Sequence, residues 1–511
     1  MQDAGEFDAI VIGSGLGSLA AAVTLGQRDL RVLVLERLAN LGGAATVYRH
    51  GRLTIEASLH EIDGRTLRGP GSVLARLGLA GKVETVATDA FYEARGGPLP
   101  VPVRVPHGLE AAEASLATAL PGARPGLTRH FRTLRAIEAS LQAFEARPGT
   151  LTALRLAGRG QLWPMLSAIP RTLSGALDPV FGANEAAKLA LAAPIAYFDD
   201  DPRRLSFLLY AGVWSRYVAG GSHYLRGGSA ALTRAMAEQL RGFGGELRRR
   251  CTVEAIRLDA AGRACGVVWR DAEGAEHAAR APRVLAGAAP QAVADMLPEP
   301  ARPRFQRSFA GRERSISLFT LSLGLSRPAA DFGVNTYSTF VFPPELERLA
   351  DYPAAAASFG AAPEGRVPPF VLADYGRLDS GLAQPGDAHL VSLCGVDRLA
   401  WWAGLDEAAE MDRRARWIDA LIAAADRQFP GLAAAVTQAE IATARTMQTR
   451  LGTPEGEVYG FRPTPRRLFG ARPSAATPVP GLFLSSAYTV SGGYAGAMQG
   501  GLMAARAALG R

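Results

Sequence analysis

The stretch FDAIVIGSGLGSLAAAVTLGQRDLRVLVLE, residues 7–36, reads as strand, tight glycine turn, helix and second strand. Asp8 to Ile12 is a short apolar run rich in β-branched residues, the composition of a strand buried on both faces. Gly13, Gly15 and Gly17 follow at once, a helical pattern runs on from Ser18, and the apolar run Arg31 to Leu35 ends on Glu36. Gly13 permits the sharp turn out of the strand. Gly15 lacks a Cβ, so backbone can approach a pyrophosphate seated on the helix N-terminus, where free N–H groups and the dipole favour an anion. Glu36 stands about 20 residues beyond the glycines, where a carboxylate accepts hydrogen bonds from an adenosine ribose. Two positions depart from the ideal. Ser18 replaces the third glycine, whose task is close helix–strand packing, and Asp29 stands where a glycine often ends the helix. Strand, helix and distal acid agree, which separates this βαβ unit from an ordinary glycine turn and predicts an α/β fold.

Outward from this unit, 511 residues with 48% hydrophobic and 20% charged content can bury several domains' worth of core, which excludes a disordered or fibrous chain. The first residues show no basic segment followed by an apolar one, so no secretory signal is expected. The longest apolar stretch, near residues 189–198, is broken by Pro194 and is too short to span a bilayer. The expected location is therefore cytoplasmic or peripheral on the inner face of the cell membrane. Cys251, Cys265 and Cys394 have no CxxC spacing, so neither a disulfide frame nor a metal site is expected. A net charge of +8 would suit nucleic acid, but the basic residues are scattered arginines, with Lys82 and Lys188 the only lysines. No nucleic-acid motif accompanies them, and no nucleic-acid partner is expected.

After Glu36 the chain continues RLANLGGAATVYRHGRLTIEASLHEI, residues 37–62. Gly42-Gly43 lies on a loop where backbone can pass close to a ligand, and Leu53 to Glu56 reads as a strand with His60 just beyond. Glu36, the step to Gly42-Gly43 and the segment around His60 resemble the start of the flavoproteins related to bacterial phytoene desaturase, plant carotenoid isomerase and animal retinol saturase. Where many relatives place Arg after the glycine pair and Asp-x-Gly before the His region, this chain has Ala44 and Glu56-Ala57. Phosphate contacts carried by that Arg therefore do not transfer.

Residues 71–217 lose the glycine signals and show helical periodicity, as in RTLRAIEASLQAFEA at 132–146. The stretch 151–177 mixes Arg155, Arg159 and Arg171 with Leu, Trp163 and Ile169, which fits a helical cap packed on its own domain as well as an interfacial helix. Gly227-Gly228 then precede a helix, and two turns lead into CTVEAIRLD and ACGVVWRD, a β-meander followed by the apolar RVLAGAA. YLRGGSAAL, residues 224–232, resembles the family's Tyr-x-x-Gly-Gly-x-x-x-Leu segment. A second divergent region holds the strands SISLFTLSLGL and HLVSLCGV and the helix WIDALIAAADRQFPGL. Within it, residues 379–386 and 453–460 resemble turns of the retinol saturase branch; plain turn chemistry explains them as well, and no catalytic role is assigned. The chain closes with strand Gly481 to Leu484, glycine loop Ser491 to Tyr494 and a small-residue helix from Gly496. A second helix N-terminus there can face the carbonyl end of a flavin.

The resemblance implies a Rossmann-like FAD-binding domain assembled from 1–70, 218–297 and 470–511, with an α+β substrate domain, helical cap and sheet, from 71–217 and 298–469. FAD contacts are expected from Gly13, Gly15, Leu16, Gly17, Glu36, Arg37, Gly42, Gly43, Ala44, Val253, Gly492, Gly493, Tyr494 and Ala495. His60 and Tyr494 are the candidate catalytic residues; His223 and Tyr488 also lie in cofactor-adjacent segments and could exchange protons. The implied reaction desaturates, saturates or isomerises a carbon–carbon bond of an apolar polyene or isoprenoid, with an external electron acceptor or donor, at a membrane surface. An amine oxidase-like flavoenzyme on a small amine and a non-catalytic flavin-binding protein are the alternatives on the same fold.

Overall fold

Three separated stretches of chain build one parallel sheet, in the order Glu246–Arg249, Val32–Glu36, Ala9–Ile12, Val284–Ala286 and Leu482–Leu484. The computed structural model describes residues 2–57, 61–69, 71–146, 158, 160–466 and 474–510. Alternation along the central strand sends side chains to both faces. Ala9 and Val11 pack with the helices Leu16–Gly26, Ser229–Gly242 and Gly493–Ala508, while Ile10 and Ile12 pack against the meander Thr252–Leu258, Ala264–Arg270 and Glu276–Arg280. Burial on both faces is what the continuous apolar runs encode. Asp29 adopts the left-handed conformation, φ 61°, as a residue replacing glycine at that turn must.

A second sheet of seven strands runs Val436–Ala442, Ser317–Leu325, His389–Asp397, Phe370–Asp374, Ser338–Phe342, Tyr92–Gly96 and Val103–Val105. It is antiparallel except between Ser338–Phe342 and Tyr92–Gly96. Phe319, Leu321 and Leu323 face the helix Glu407–Gln428 through Trp417 and Leu421, whereas Leu318 and Cys394 turn to a helical layer that includes Arg124–Ala146 and Phe207–Gly220. Among the described residues no helix is long and apolar enough to cross a membrane.

Three features correct the sequence reading. Residues 71–217 are not helical throughout, since Thr85–Ala87, Tyr92–Gly96 and Val103–Val105 are strands. These strands have only three to five residues, and Glu93, Arg95 and Arg104 interrupt their apolar pattern, so pairing with distant strands, not local periodicity, defines them. Thr85–Ala87 joins Ser222–Leu225 and Ile62–Asp63 in a small antiparallel sheet, which ties the helical region to the dinucleotide sheet. Finally, the last helix starts at Gly493, three residues before Gly496, so the end of the expected glycine loop is its first turn.

Candidate active site

Two helix N-termini open onto one cavity of about 1560 Å³. The helix Leu16–Gly26 begins after Gly15 and the helix Gly493–Ala508 after Gly492; neither N-cap offers a side-chain hydrogen bond, so their leading N–H groups stay available to a ligand. Gly13 turns out of the first strand with φ +88°. A Cβ on Gly15 would meet no protein atom within 4 Å and would point into open space. At Gly17 a Cβ would come within 2.3 Å of the Ser485 carbonyl oxygen, so this glycine sets the close approach of the first helix to the C-terminal segment. Ser18 keeps the third glycine's packing by another route. Its hydroxyl fills the space above Gly287, where a Cβ would lie 2.0 Å from Ser18 Oγ.

Glu36 is buried, and its Oε2 accepts from the Ser14 N–H (2.8 Å) and Ser14 Oγ (2.7 Å), its Oε1 from the Leu38 N–H (2.7 Å). These bonds hold the carboxylate on the cavity wall with lone pairs to spare. Arg37 Nη2 donates to the carbonyls of Thr449 (3.1 Å) and Arg450 (2.9 Å), clamping the two layers together. Leu16, Gly42, Gly43, Ala44 and Val253 line the cavity, as do Gly492, Gly493, Tyr494 and Ala495. All fourteen residues expected to touch a dinucleotide therefore share one cavity. Its volume exceeds the roughly 300–1,000 Å³ typical of a single-ligand pocket, leaving room beyond a dinucleotide.

That further space is walled by Leu141, Phe144, Phe198, Leu208, Leu209, Val213, Leu318, Val371 and Cys394, a mainly apolar surface from two helices, the turn at Phe198 and the seven-stranded sheet. Burial pushes the Cys394 thiol up to about 12, so it stays a thiol. Polar groups lining the cavity include Glu61, Tyr197, Arg216, Tyr217, Thr320, Glu457, Tyr459 and Tyr488. Tyr488 donates to Glu457 Oε1 at 2.5 Å, and burial raises the carboxyl of Glu457. Glu61 is buried, and desolvation raises it to about 7.

Of the expected proton exchangers, His60 lies outside the described residues. Tyr494 sits in the first turn of the last helix with its ring buried, and desolvation raises its phenol well above 10. Tyr488 lines the cavity, whereas His223 is held in the three-stranded sheet away from the lining. Glu61, Tyr197, Tyr217 and Glu457 escaped the sequence reading because nothing local marks them. Glu61 follows His60 in an unremarkable ASLHEID run, and its partners lie far along the chain.

The model for the NAD(P)-binding Rossmann-like domain matches residues 11–75. Across 99% of its length the chain is 24% identical to the all-trans-retinol 13,14-reductase of Macaca fascicularis, of which it covers 86%. Across 94% it is 26% identical to the chloroplastic prolycopene isomerase of Arabidopsis thaliana, covering 79% of that protein. These matches support the chain's resemblance to the phytoene desaturase, carotenoid isomerase and retinol saturase family. Among solved structures, cyclohexylamine oxidase from Brevibacterium oxydans shares the fold of this chain with a TM-score of 0.61 at 18% identity, covering 99% of this chain and 98% of that one. The fold is thus common to enzymes of different chemistry, and the cavity's lining has to carry the functional argument.

Proposed function

We propose that the protein is an FAD-dependent oxidoreductase acting on a carbon–carbon bond of an apolar polyene or isoprenoid, by desaturation, saturation or flavin-assisted isomerisation. The observation that carries this reading is the shared cavity in which two uncapped helix N-termini and Glu36 adjoin a mainly apolar chamber. The enzyme is of the oxidoreductase kind that its relatives' names describe, and those names specify retinol, prolycopene and phytoene. The residues present fit a flavin dinucleotide. Gly13, Gly15, Leu16, Gly17, Gly42, Gly43 and Ala44 would hold the pyrophosphate region, Glu36, Arg37 and Val253 the adenosine, and Gly492 to Ala495 the flavin end. The bound cofactor supplies hydride transfer; the chain supplies binding, orientation and exclusion of water.

In this reading 1–70, 218–297 and 470–511 form the FAD-binding domain, and 71–217 with 298–469 form the substrate domain. One dinucleotide fingerprint points to quinone, oxygen or another protein as the electron partner. Work at a membrane surface, on the inner face of the cell membrane, is supported by three exposed apolar side chains on the packed helices Arg124–Ala146 and Trp163–Ala168. Trp163, Leu166 and Phe144 are 69%, 41% and 39% exposed, and Phe144 also lines the cavity. The amine-oxidase alternative has fold similarity as its sole support. The deciding experiment identifies the cofactor released by heat and analyses products after incubation with reducible and oxidisable polyenes. FAD and an altered double bond are expected; nicotinamide dinucleotide alone, or turnover of small amines without polyenes, overturns the reading.

A further inference from the structure

A buried acid on the cavity wall has the surroundings of a proton-exchanging group. Glu61 lies directly before the strand Ile62–Asp63 and lines the cavity beside Tyr197 and Tyr217. Its Oε1 accepts from the Ser338 hydroxyl and, at 3.5 Å, from the Tyr197 hydroxyl. Its Oε2 is buried and, among the described residues, has no hydrogen-bond partner. The Tyr217 hydroxyl donates to the backbone carbonyl of Glu61 at 2.8 Å, which fixes the residue without occupying its carboxyl.

Ser222, on the strand paired with Ile62–Asp63, has its Oγ 3.0 Å from Nε2 of His107, a partly exposed imidazole. Nε2 also accepts the Ser222 N–H at 3.1 Å, so its lone pair points at Ser222 and the imidazole's proton sits on Nδ1. Tyr197, Tyr217, Tyr337 and Asp89 act on Glu61, and Asp89, Arg104 and His223 act on His107. Burial is the largest influence on the Glu61 carboxyl and raises it to about 7, so it keeps its proton to about neutral pH.

We propose that Glu61 exchanges the proton with the substrate. The proposal rests on the polyene oxidoreductase reading. When a double bond is saturated, a hydride from a reduced dinucleotide must form the C–H bond at one carbon. The Glu61 O–H breaks and its proton forms the C–H bond at the neighbouring carbon; the carboxylate recovers a proton from water. Desaturation reverses both transfers, with the carboxylate as base and an oxidised dinucleotide as hydride acceptor.

The test uses the full-length, cofactor-loaded protein and its Glu61→Gln and Glu61→Asp variants. Infrared difference spectra taken below and above neutral pH should show a protonated carboxyl band that titrates in the wild type and is missing from Glu61→Gln. With a polyene substrate, Glu61→Gln should lower kcat about 10²- to 10⁴-fold, the usual share of general acid–base catalysis, with KM and cofactor content unchanged. Glu61→Asp, which keeps the proton on a shorter arm, should retain more turnover than Glu61→Gln. Wild-type kcat in Glu61→Gln, or a carboxylate ionised at every pH, overturns the proposal. A wild type that turns over no polyene sinks the substrate reading instead, and the infrared arm then judges Glu61 alone, a titrating carboxyl supporting the proposal and an ionised one overturning it.

Discussion

Gly15 and Gly17 stand two residues apart in one motif, yet the structure assigns them opposite tasks, and alanine at each position separates the two. A methyl group at Gly17 would lie 2.3 Å from the Ser485 carbonyl oxygen and 2.8 Å from that of Ala497, both backbone atoms that cannot swing aside. Overpacking of this kind costs about 1–3 kcal/mol. Gly17→Ala should therefore lower the melting temperature of the cofactor-free protein, by about 2–4 °C per kcal/mol if the affected domain has about 150–250 residues. Gly15 has φ −59° and ψ 162°, a conformation open to any residue, and a methyl group there touches no protein atom. Losing glycine at an N-cap and narrowing the unfolded ensemble nearly offset one another, so Gly15→Ala should change cofactor-free stability by less than about 1 kcal/mol. The same methyl group stands where a pyrophosphate would approach the helix N-terminus. Loss of one charge-assisted hydrogen bond, about 1.5–3 kcal/mol, would weaken cofactor binding about 10- to 150-fold. Thermal melts of cofactor-free protein and a fluorescence titration with cofactor measure the two effects independently. If Gly15→Ala destabilises the cofactor-free protein as much as Gly17→Ala does, or binds cofactor with wild-type affinity, the assignment of Gly15 to the ligand and Gly17 to packing is wrong.

Glu36→Ala should lower FAD occupancy by an amount equivalent to about 1.5–3 kcal/mol, read as the flavin-to-protein absorbance ratio after gel filtration. The carboxyl of Glu56, which accepts from the Ser229 N–H (2.8 Å), Ser229 Oγ (2.6 Å) and Tyr224 hydroxyl (3.1 Å), is raised by burial from 4.5 to about 7. Because the folded state holds this proton more tightly than the unfolded chain, its stabilising share is full below pH 4.5 and drains as pH rises to about 7. Denaturant melts across that window should show a shallower decline in Glu56→Gln than in wild type, and equal slopes would count against the shift. Anionic liposomes should float the wild-type protein at low salt, and a Trp163→Ser, Leu166→Ser double variant should remain in the soluble fraction. Equal flotation of the two proteins would remove these helices from the membrane reading.

Local chemistry carried much of the architecture. A glycine turn between two apolar β-branched runs restricts φ within a few residues, and helical or alternating periodicity is likewise a short-range signal, so the parallel sheet, the meander and the closing helix were legible in the chain. The family's glycine loops also named a set of residues that the folded chain brings to one cavity. Tertiary structure alone decided the remainder, because pairing and burial depend on residues far apart in sequence. The strands between Thr85 and Val105 exist through their pairing with Ser222–Leu225 and Ser338–Phe342, and their own short, charge-interrupted text does not announce them. Ser18 stands in for the third glycine because Gly287, from another strand's end, leaves room for its hydroxyl. Glu61 becomes a buried acid only where Ser338, 277 residues away, and Tyr197, 136 residues away, close over it, and no window of sequence contains that desolvation.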